Sequence, residues 1–198
     1  MKTPSQRIAK GAARVSLIFL LMAESLVQCT AAASEPVNSV SVGLPPEPSA
    51  GVRKAAEVLA RQIQQRCEAK VSIGGPQRAL VRLSVEPGLC PEGFEITDGP
   101  EGTVAVRGND ERGVLFGVGK LLRASRFDQG GFTPGTWRGR SVPTCPVRGI
   151  YLATHFANFY ETAPAEEVQE YVEDLALWGI NSVKHAGSPF PERGEGPH

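Results

Sequence analysis

The segment from Cys145 to Val183 limits the fold more than any other part of this chain. Apolar Ile150, Tyr151 and Leu152 read as a strand and Thr154 to Tyr160 as a polar and aromatic loop. Pro164 to Trp178 reads as an amphipathic helix, and Ile180 to Val183 as a second strand. Within the helix, Val168, Tyr171, Val172, Leu175 and Trp178 form the inward stripe. Pro164 fits its first position, Glu166 and Glu167 its positive end, and Gly179 its left-handed stop. A right-handed crossover sets the two strands side by side and parallel. Parallel strands need neighbours on both edges and cover on both faces, so one βα unit cannot bury itself. Lys184 to His198 is a Pro/Gly-rich polar tail without period, expected to be disordered. Residues 145–183 therefore read as one βα unit and the start of the next, belonging to a larger parallel sheet.

Upstream, residues 35–140 read as a separate small domain. Val40, Val42 and Leu44 alternate with polar or small neighbours as a half-buried strand, stopped by Pro45, Pro46 and Pro48. Ser49 is placed to cap a helix whose inward face is Val52, Ala55, Ala56, Leu59, Ile63 and Cys67, with Arg53, Lys54, Arg61, Gln62 and Gln65 toward water. Strand-like runs follow at Lys70 to Ile73, Leu80 to Val85, Phe94 to Thr97 and Thr103 to Arg107. Gly74-Gly75-Pro76, Pro87-Gly88 and Asp98-Gly99-Pro100 separate them. Val81, Leu83 and Val85 alternate with Arg82 and Ser84, and Val104 and Val106 with Thr103, Ala105 and Arg107, which predicts a sheet covered on one face only. The expected fold is α+β: a two-layer domain with a mixed sheet and two helices on one face.

The second helix opens at Gly108-Asn109-Asp110-Glu111 and runs to about Ser125, with Val114, Val118, Leu121 and Leu122 inward and Lys120, Arg123 and Arg126 near its negative end. Gly113 and Gly117 share one face, where missing side chains let the backbone press on the sheet. The run GVLFGVGK does not make a phosphate loop. Five residues, not four, separate Gly113 from Gly119-Lys120, and Leu121 stands where Ser or Thr must hold magnesium. No nucleotide is expected. Phe127 to Thr144 reads as a linker or irregular excursion, with Trp137 as a packed anchor of the junction.

The chain is long enough, at 198 residues with 41% apolar content, for a real core in one or two domains. Basic and acidic residues balance at 21 each, so no global field draws it to nucleic acid or anionic lipid, and a neutral partner fits better. Residues 1–33 read as an export signal: Arg7, Lys10 and Arg14 flank apolar Val15 to Ala23, and Ala31-Ala32-Ala33 offers a cleavage site. A periplasmic or extracellular protein is expected. Leu26-Val27-Gln28-Cys29 matches a lipoprotein box only loosely, because Gln28 stands where a small residue belongs, so lipid attachment at Cys29 is the lesser expectation. Cys67, Cys90 and Cys145 then remain, an odd number with no metal-knuckle spacing, and read as buried or half-buried thiols.

The run Arg148-Gly149-Ile150-Tyr151-Leu152, then His155-Phe156, then a helix ending Tyr171-Val172-Glu173-Asp174-Leu175-Ala176-Leu177-Trp178-Gly179-Ile180-Asn181, resembles the opening βαβ of the catalytic barrel in family 20 glycoside hydrolases, the β-N-acetylhexosaminidases. The helix from Gly108 to Leu122 resembles the last helix of the small domain preceding that barrel, and a similar domain precedes the barrel of α-glucuronidases. The resemblance spans about Val37 to Val183 and implies an exported, carbohydrate-associated protein in which residues 145–183 are the first βα unit of an incomplete (β/α)8 barrel. Family members follow the first barrel strand with an Asp-x-x-Arg-His-Phe-like segment whose arginine holds sugar hydroxyls. Here Thr154 stands in the arginine's place. The adjacent Asp-Glu pair of a later strand, Glu as general acid and Asp orienting the acetamido group, is not encoded. The resemblance therefore implies the non-catalytic N-terminal part of such an enzyme, inactive alone; the alternative is a glycan-binding or subunit-docking module.

Active sites of such barrels lie at the C-terminal strand ends. His155 and Asn158 are the candidate substrate contacts there, with Phe156, Phe159 and Tyr160 as sugar-stacking faces. Arg148 reads as a junction arginine paired with a carboxylate, with a substrate role as the alternative. No residue reads as catalytic. Glu161, Glu166, Glu167, Glu170, Glu173 and Asp174 read as a solvated helix face, not as the carboxyl pair that glycoside hydrolysis needs. His155, His185 and His198 lack metal-ligand spacing, and neither a metal nor a cofactor is expected.

Overall fold

The computed structural model describes residues 35–74, 78–152 and 158–185. Residues 1–33, His155, Phe156 and most of the tail fall outside them. Among the described residues, no helix is long and apolar enough to cross a membrane.

Five strands form most of the main sheet: β1 (Ser39–Gly43), β2 (Lys70–Ile73), β3 (Val81–Val85), β4 (Phe94–Asp98) and β5 (Val104–Gly108). The spatial order is β2-β1-β3-β5-β4, closed by β8 (Gly139–Ser141). β1 is parallel to β2 and β3, and β3 to β5, whereas β4 runs antiparallel to β5 and β8. Helices α1 (Ala50–Arg66) and α2 (Glu111–Ala124) pack on each other and on one face of this mixed sheet. Val40, Val42, Leu59, Ile63, Leu83, Ile96, Val106 and Val114 make the core between the layers. The opposite face is polar: Arg107 faces Glu86 and Glu95, and Arg140 donates to Glu95.

Local chemistry explains these elements. The Ser49 hydroxyl accepts from the Val52 amide at 3.5 Å, and Asp110 Oδ1 accepts from the Gly113 amide at 2.8 Å, so both helices start at a side-chain cap as expected. A Cβ on Gly113 would collide with the Gly93 carbonyl, and one on Gly117 would lie 2.5 Å from Val106 Cγ1. Both glycines set the distance from helix to sheet. Val85, expected on the inner face, is exposed at the end of its strand.

The linker expectation for 127–144 needs correction. β6 (Arg126–Asp128) and β7 (Gly131–Thr133) form a hairpin, β8 extends the sheet, and Phe132 is fully buried against Phe127 at 5.5 Å between ring centres. Three-residue strands show no period to read, and only β8, paired with distant β4, and the bridge from Val37 to Phe132 are long-range. Trp137 packs on Phe94 at 6.2 Å.

Beyond β8 come β9 (Gly149–Leu152), the short helix α3 (Phe159–Thr162), α4 (Ala165–Leu177) and β10 (Ser182–His185). β9 and β10 pair in parallel, Ile150 opposite Val183. The second strand starts two residues later than expected, because Ile180 and Asn181 close the turn out of α4: their amides bond to Leu175 O and Arg148 O. Pro164 occupies the cap position, one residue earlier than expected, and Gly179 has the left-handed φ of 92°. α4 packs on α2 with Leu177 in the core, where a Cβ on Gly119 would strike the Leu177 carbonyl. Trp178, expected inward, is 71% exposed, because the helix presents Leu177 to α2 in its place.

Candidate functional site

The site begins in the loop between β3 and β4. Asn109 Oδ1 accepts from the amides of Gly88 and Leu89 at 3.1 and 3.0 Å, and Asp110 Oδ2 accepts from the Glu92 amide at 2.7 Å. The residues that start α2 thus also hold this loop. Glu92 is fixed in the left-handed region at φ 61°, a conformation unfavourable for a side-chain-bearing residue and kept only where the surroundings over-determine it.

So held, the Glu92 side chain is 11% exposed and its carboxylate takes four hydrogen bonds. Arg148 Nη2 donates at 2.6 Å, Arg112 Nη1 at 2.9 Å, and Asn181 Nδ2 to both oxygens at 3.1 and 2.9 Å. Arg148 also donates to the carbonyls of Gly179 and Cys145 and stacks over Phe116 at 5.2 Å. Asn181 Oδ1 accepts from the Arg148 amide. Burial pushes the Glu92 carboxyl up, but the bonds from Arg148, Arg112 and Asn181 outweigh it and hold the group below the ordinary glutamate range.

A second polar seam joins α4 to α1. Glu173 pairs with Lys54 at 2.9 Å and with Arg61, while Gln62 donates to Asp174 at 3.0 Å. Burial raises the Glu173 carboxyl, and Lys54, Gln169 and Arg61 together bring it below the usual range. Glu173 and Asp174 are therefore interface residues and not a solvated face. Gln62 is buried, contrary to the expectation for α1, because α4 lies against that flank.

Arg148 is the junction arginine that its position suggested, with Glu92 as the carboxylate. It precedes β9, at the opposite end from Asn158, so the two candidates do not converge. Asn158 heads α3, its carbonyl accepting from the amides of Glu161 and Thr162 and from the Thr162 hydroxyl. Next to it, Phe159, Tyr160 and Tyr171 form an aromatic cluster with ring centres 5.5–5.9 Å apart, and the Tyr160 hydroxyl donates to that of Tyr171 at 3.4 Å. The bond to Tyr171, then burial, raises the Tyr160 hydroxyl. His155 lies outside the described residues.

Sequence reasoning passed over Glu92. Its one signal is Pro91-Glu92-Gly93, an ordinary turn. Two thiols also depart from expectation: Cys67 is half-buried, but Cys90 and Cys145 are exposed, since each sits in an irregular loop. Among the described residues no three His, Cys, Asp or Glu side chains converge as metal ligands.

No family model matches this chain, and no curated protein matches it in sequence. Solved structures do match in fold. A family 115 4-O-methyl-α-glucuronidase with specificity for decorated arabinogalactans superposes with a TM-score of 0.61 at 15% identity, over 77% of this chain and 25% of its own. The family 20 β-N-acetylhexosaminidase of Streptomyces coelicolor gives 0.58 at 18% identity, over 77% of this chain and 33% of its own. A β-hexosaminidase of Streptomyces plicatus, in complex with the product GlcNAc, gives 0.56 at 18%, over 77% and 32%. The fold is like that of family 20 hexosaminidases and α-glucuronidases. The chain spans a quarter to a third of the length of these proteins.

Proposed function

We propose that this chain is the non-catalytic N-terminal part of an exported glycoside hydrolase acting on polysaccharide or amino-sugar glycans, and that it has no turnover alone. In this reading residues 35–140 are the small domain that precedes the barrel and 145–185 begin the barrel; β10 runs two residues into the stretch expected as tail, because Lys184 and His185 pair with Tyr151 and Leu152. The fold likeness carries it, because it covers 77% of this chain and only 25–33% of these hydrolases, and the carboxylates of Glu92 and Glu173 agree with the lack of turnover. Glycoside hydrolysis ordinarily requires one carboxyl raised in pKa to protonate the leaving oxygen and a second about 5–10 Å across the bond. Glu92 and Glu173 are both moved the other way, each committed to cationic partners at the junction.

The test is an assay of the full chain with aryl N-acetylglucosaminides and aryl glucuronides. No turnover is expected. Turnover abolished by changing one of the chain's own carboxylates overturns the proposal. A second reading, a glycan-binding or subunit-docking module, is favoured by the exposed aromatics Tyr151, Phe159 and Trp178. Calorimetric heat on titration with chitooligosaccharides, without turnover, would put that reading first.

A further inference from the structure

The two edges of the main sheet differ. β8 closes one side with three residues, opens at Gly139 with a φ of 138° and carries Arg140, which Glu95 takes up. β2 forms the other side, and among the described residues no strand pairs with its outer edge. The amides of Lys70 and Gly74 donate to Asn38 O and Val42 O at 2.8 and 2.9 Å. Backbone groups alternate in direction along a strand, so the N–H and C=O of Val71 and Ile73 point away from β1 and stand open. Val71 and Ile73 lie opposite the buried Val40 and Val42, which puts their side chains on the helix-covered face, yet Ile73 is 41% exposed. Nothing between Lys70 and Ile73 is a proline, a bulge or an inward charge, the devices that block an edge.

Beside that edge a groove of about 440 Å³ runs between Ile73, the turn after β1 and the start of α1. Its apolar lining is Leu44, Pro46, Pro48 and Ile73, and its charges are Arg53 and Glu57, one turn apart on α1. α4 lies against the other flank of that helix, where Gln62 meets Asp174, so this flank is left open. Arg53 and Glu57 are both exposed, and Arg53 donates to Pro48 O. Open strand donors and acceptors, an apolar side chain and one charge of each sign make a surface that complements its own copy after half a turn.

We propose that two copies of this chain pair β2 with β2, antiparallel, about a twofold axis at Ser72, joining their main sheets into one. The register follows from the open groups. With Ser72 opposite Ser72, Val71 of each copy stands opposite Ile73 of the other as a hydrogen-bonded pair, and every open N–H and C=O of the strand is used. A register centred one residue either way reaches past the strand, to Ala69 or Gly75. The same axis covers Ile73 of each copy with Val71 of the other and turns the open flanks of the two α1 helices toward each other in opposite directions, cation toward carboxylate. Neither the Glu92 junction nor the βα unit takes part, so the pairing goes beyond the proposed function and does not rest on it.

The full chain is measured by sedimentation equilibrium over a concentration series. A reversible monomer–dimer equilibrium is expected. Ile73→Lys sets a charge into the apolar side of the edge and should weaken it by about tenfold or more, with circular dichroism and the urea midpoint unchanged. Cross-linking reads the register, in a chain whose Cys29, Cys90 and Cys145 are changed to Ser. Ser72→Cys places two thiols on the axis, where the Cα separation of about 4.5 Å for a non-hydrogen-bonded pair lies within disulfide reach. Oxidised glutathione should turn that variant into a covalent dimer. Ser84→Cys, on the same sheet face but two strands inward, should stay a single chain. A mass of one chain at every concentration, a dimer indifferent to Ile73→Lys, or no covalent dimer from Ser72→Cys overturns the proposal. Turnover of aryl glycosides would remove the fragment reading and leave the pairing standing, so the two fail separately.

Discussion

The α+β layers and the βα unit use the same kinds of element, yet their apolar side chains meet different surroundings. Between the layers, Leu59, Ile63, Leu83 and Ile96 are sealed from water on every side. In the βα unit Tyr151 is 52% exposed, Val183 is exposed, and only Leu177 of α4 reaches the main core. What holds the second region to the first is mostly polar: the Glu92 cluster, the Glu173 seam and the close approach at Gly119. A buried apolar core is indifferent to pH and salt over wide ranges, whereas partly exposed ion pairs are not. The two regions should therefore come apart under different conditions.

The largest effect should come from the core. Leu59→Ala is expected to cost about 2–5 kcal/mol and to lower the urea midpoint of the whole chain; a loss below 1 kcal/mol would mean the layers are not packed as described. Next is the clamp. Glu92→Gln leaves Arg148 and Arg112 facing a neutral amide and should cost about 1.5–3 kcal/mol. Hydrogen exchange should speed up in β9, α4 and β10 and stay unchanged in β3 and β5; uniform change would erase the distinction between the regions. Gly119→Ala should act on the same elements, at about 1–3 kcal/mol, by pushing α4 off α2.

Acid should separate the regions too. Glu92 and Glu173 have folded-state pKa values below the ordinary value of 4.5, so their contribution is fully present above it and is lost as pH falls through the lowered values. Exchange protection of α4 should fall below about pH 4.5 before that of β5, and the double variant Glu92→Gln, Glu173→Gln should flatten this dependence. Smallest of all, Arg78→Ala breaks an exposed pair with Glu101 and should change stability by less than about 1 kcal/mol.

Much of this was legible wherever the signal is local. The caps at Ser49 and Asp110 and the glycines of α2 each follow from residues within a few positions of one another, and the parallel pairing of β9 with β10 follows from the right-handed crossover between them. Arg148 could be read as needing a carboxylate, because a buried guanidinium requires one; which carboxylate could not be read, since Glu92 is far away in sequence. Gln62 and Glu173 looked solvated for the same reason: periodicity says which face of a helix is apolar, not which polar edge another helix will cover. The strands at 126–141 were hidden by their shortness, and the exposure of Trp178 by the rotation that gives Leu177 to the core.

Asp110 serves two masters at once, one oxygen capping α2 and the other holding the amide of Glu92. The anchor for the later segment is thus assembled from parts that come earlier in the chain and is complete only once α2 has its first turn. A ribosome releases those parts first, so the receptor for Arg148 should be waiting before the arginine emerges. Chains stalled just after Arg148 clears the exit tunnel should already resist protease across β3 to α2, and Asp110→Ala should delay that resistance.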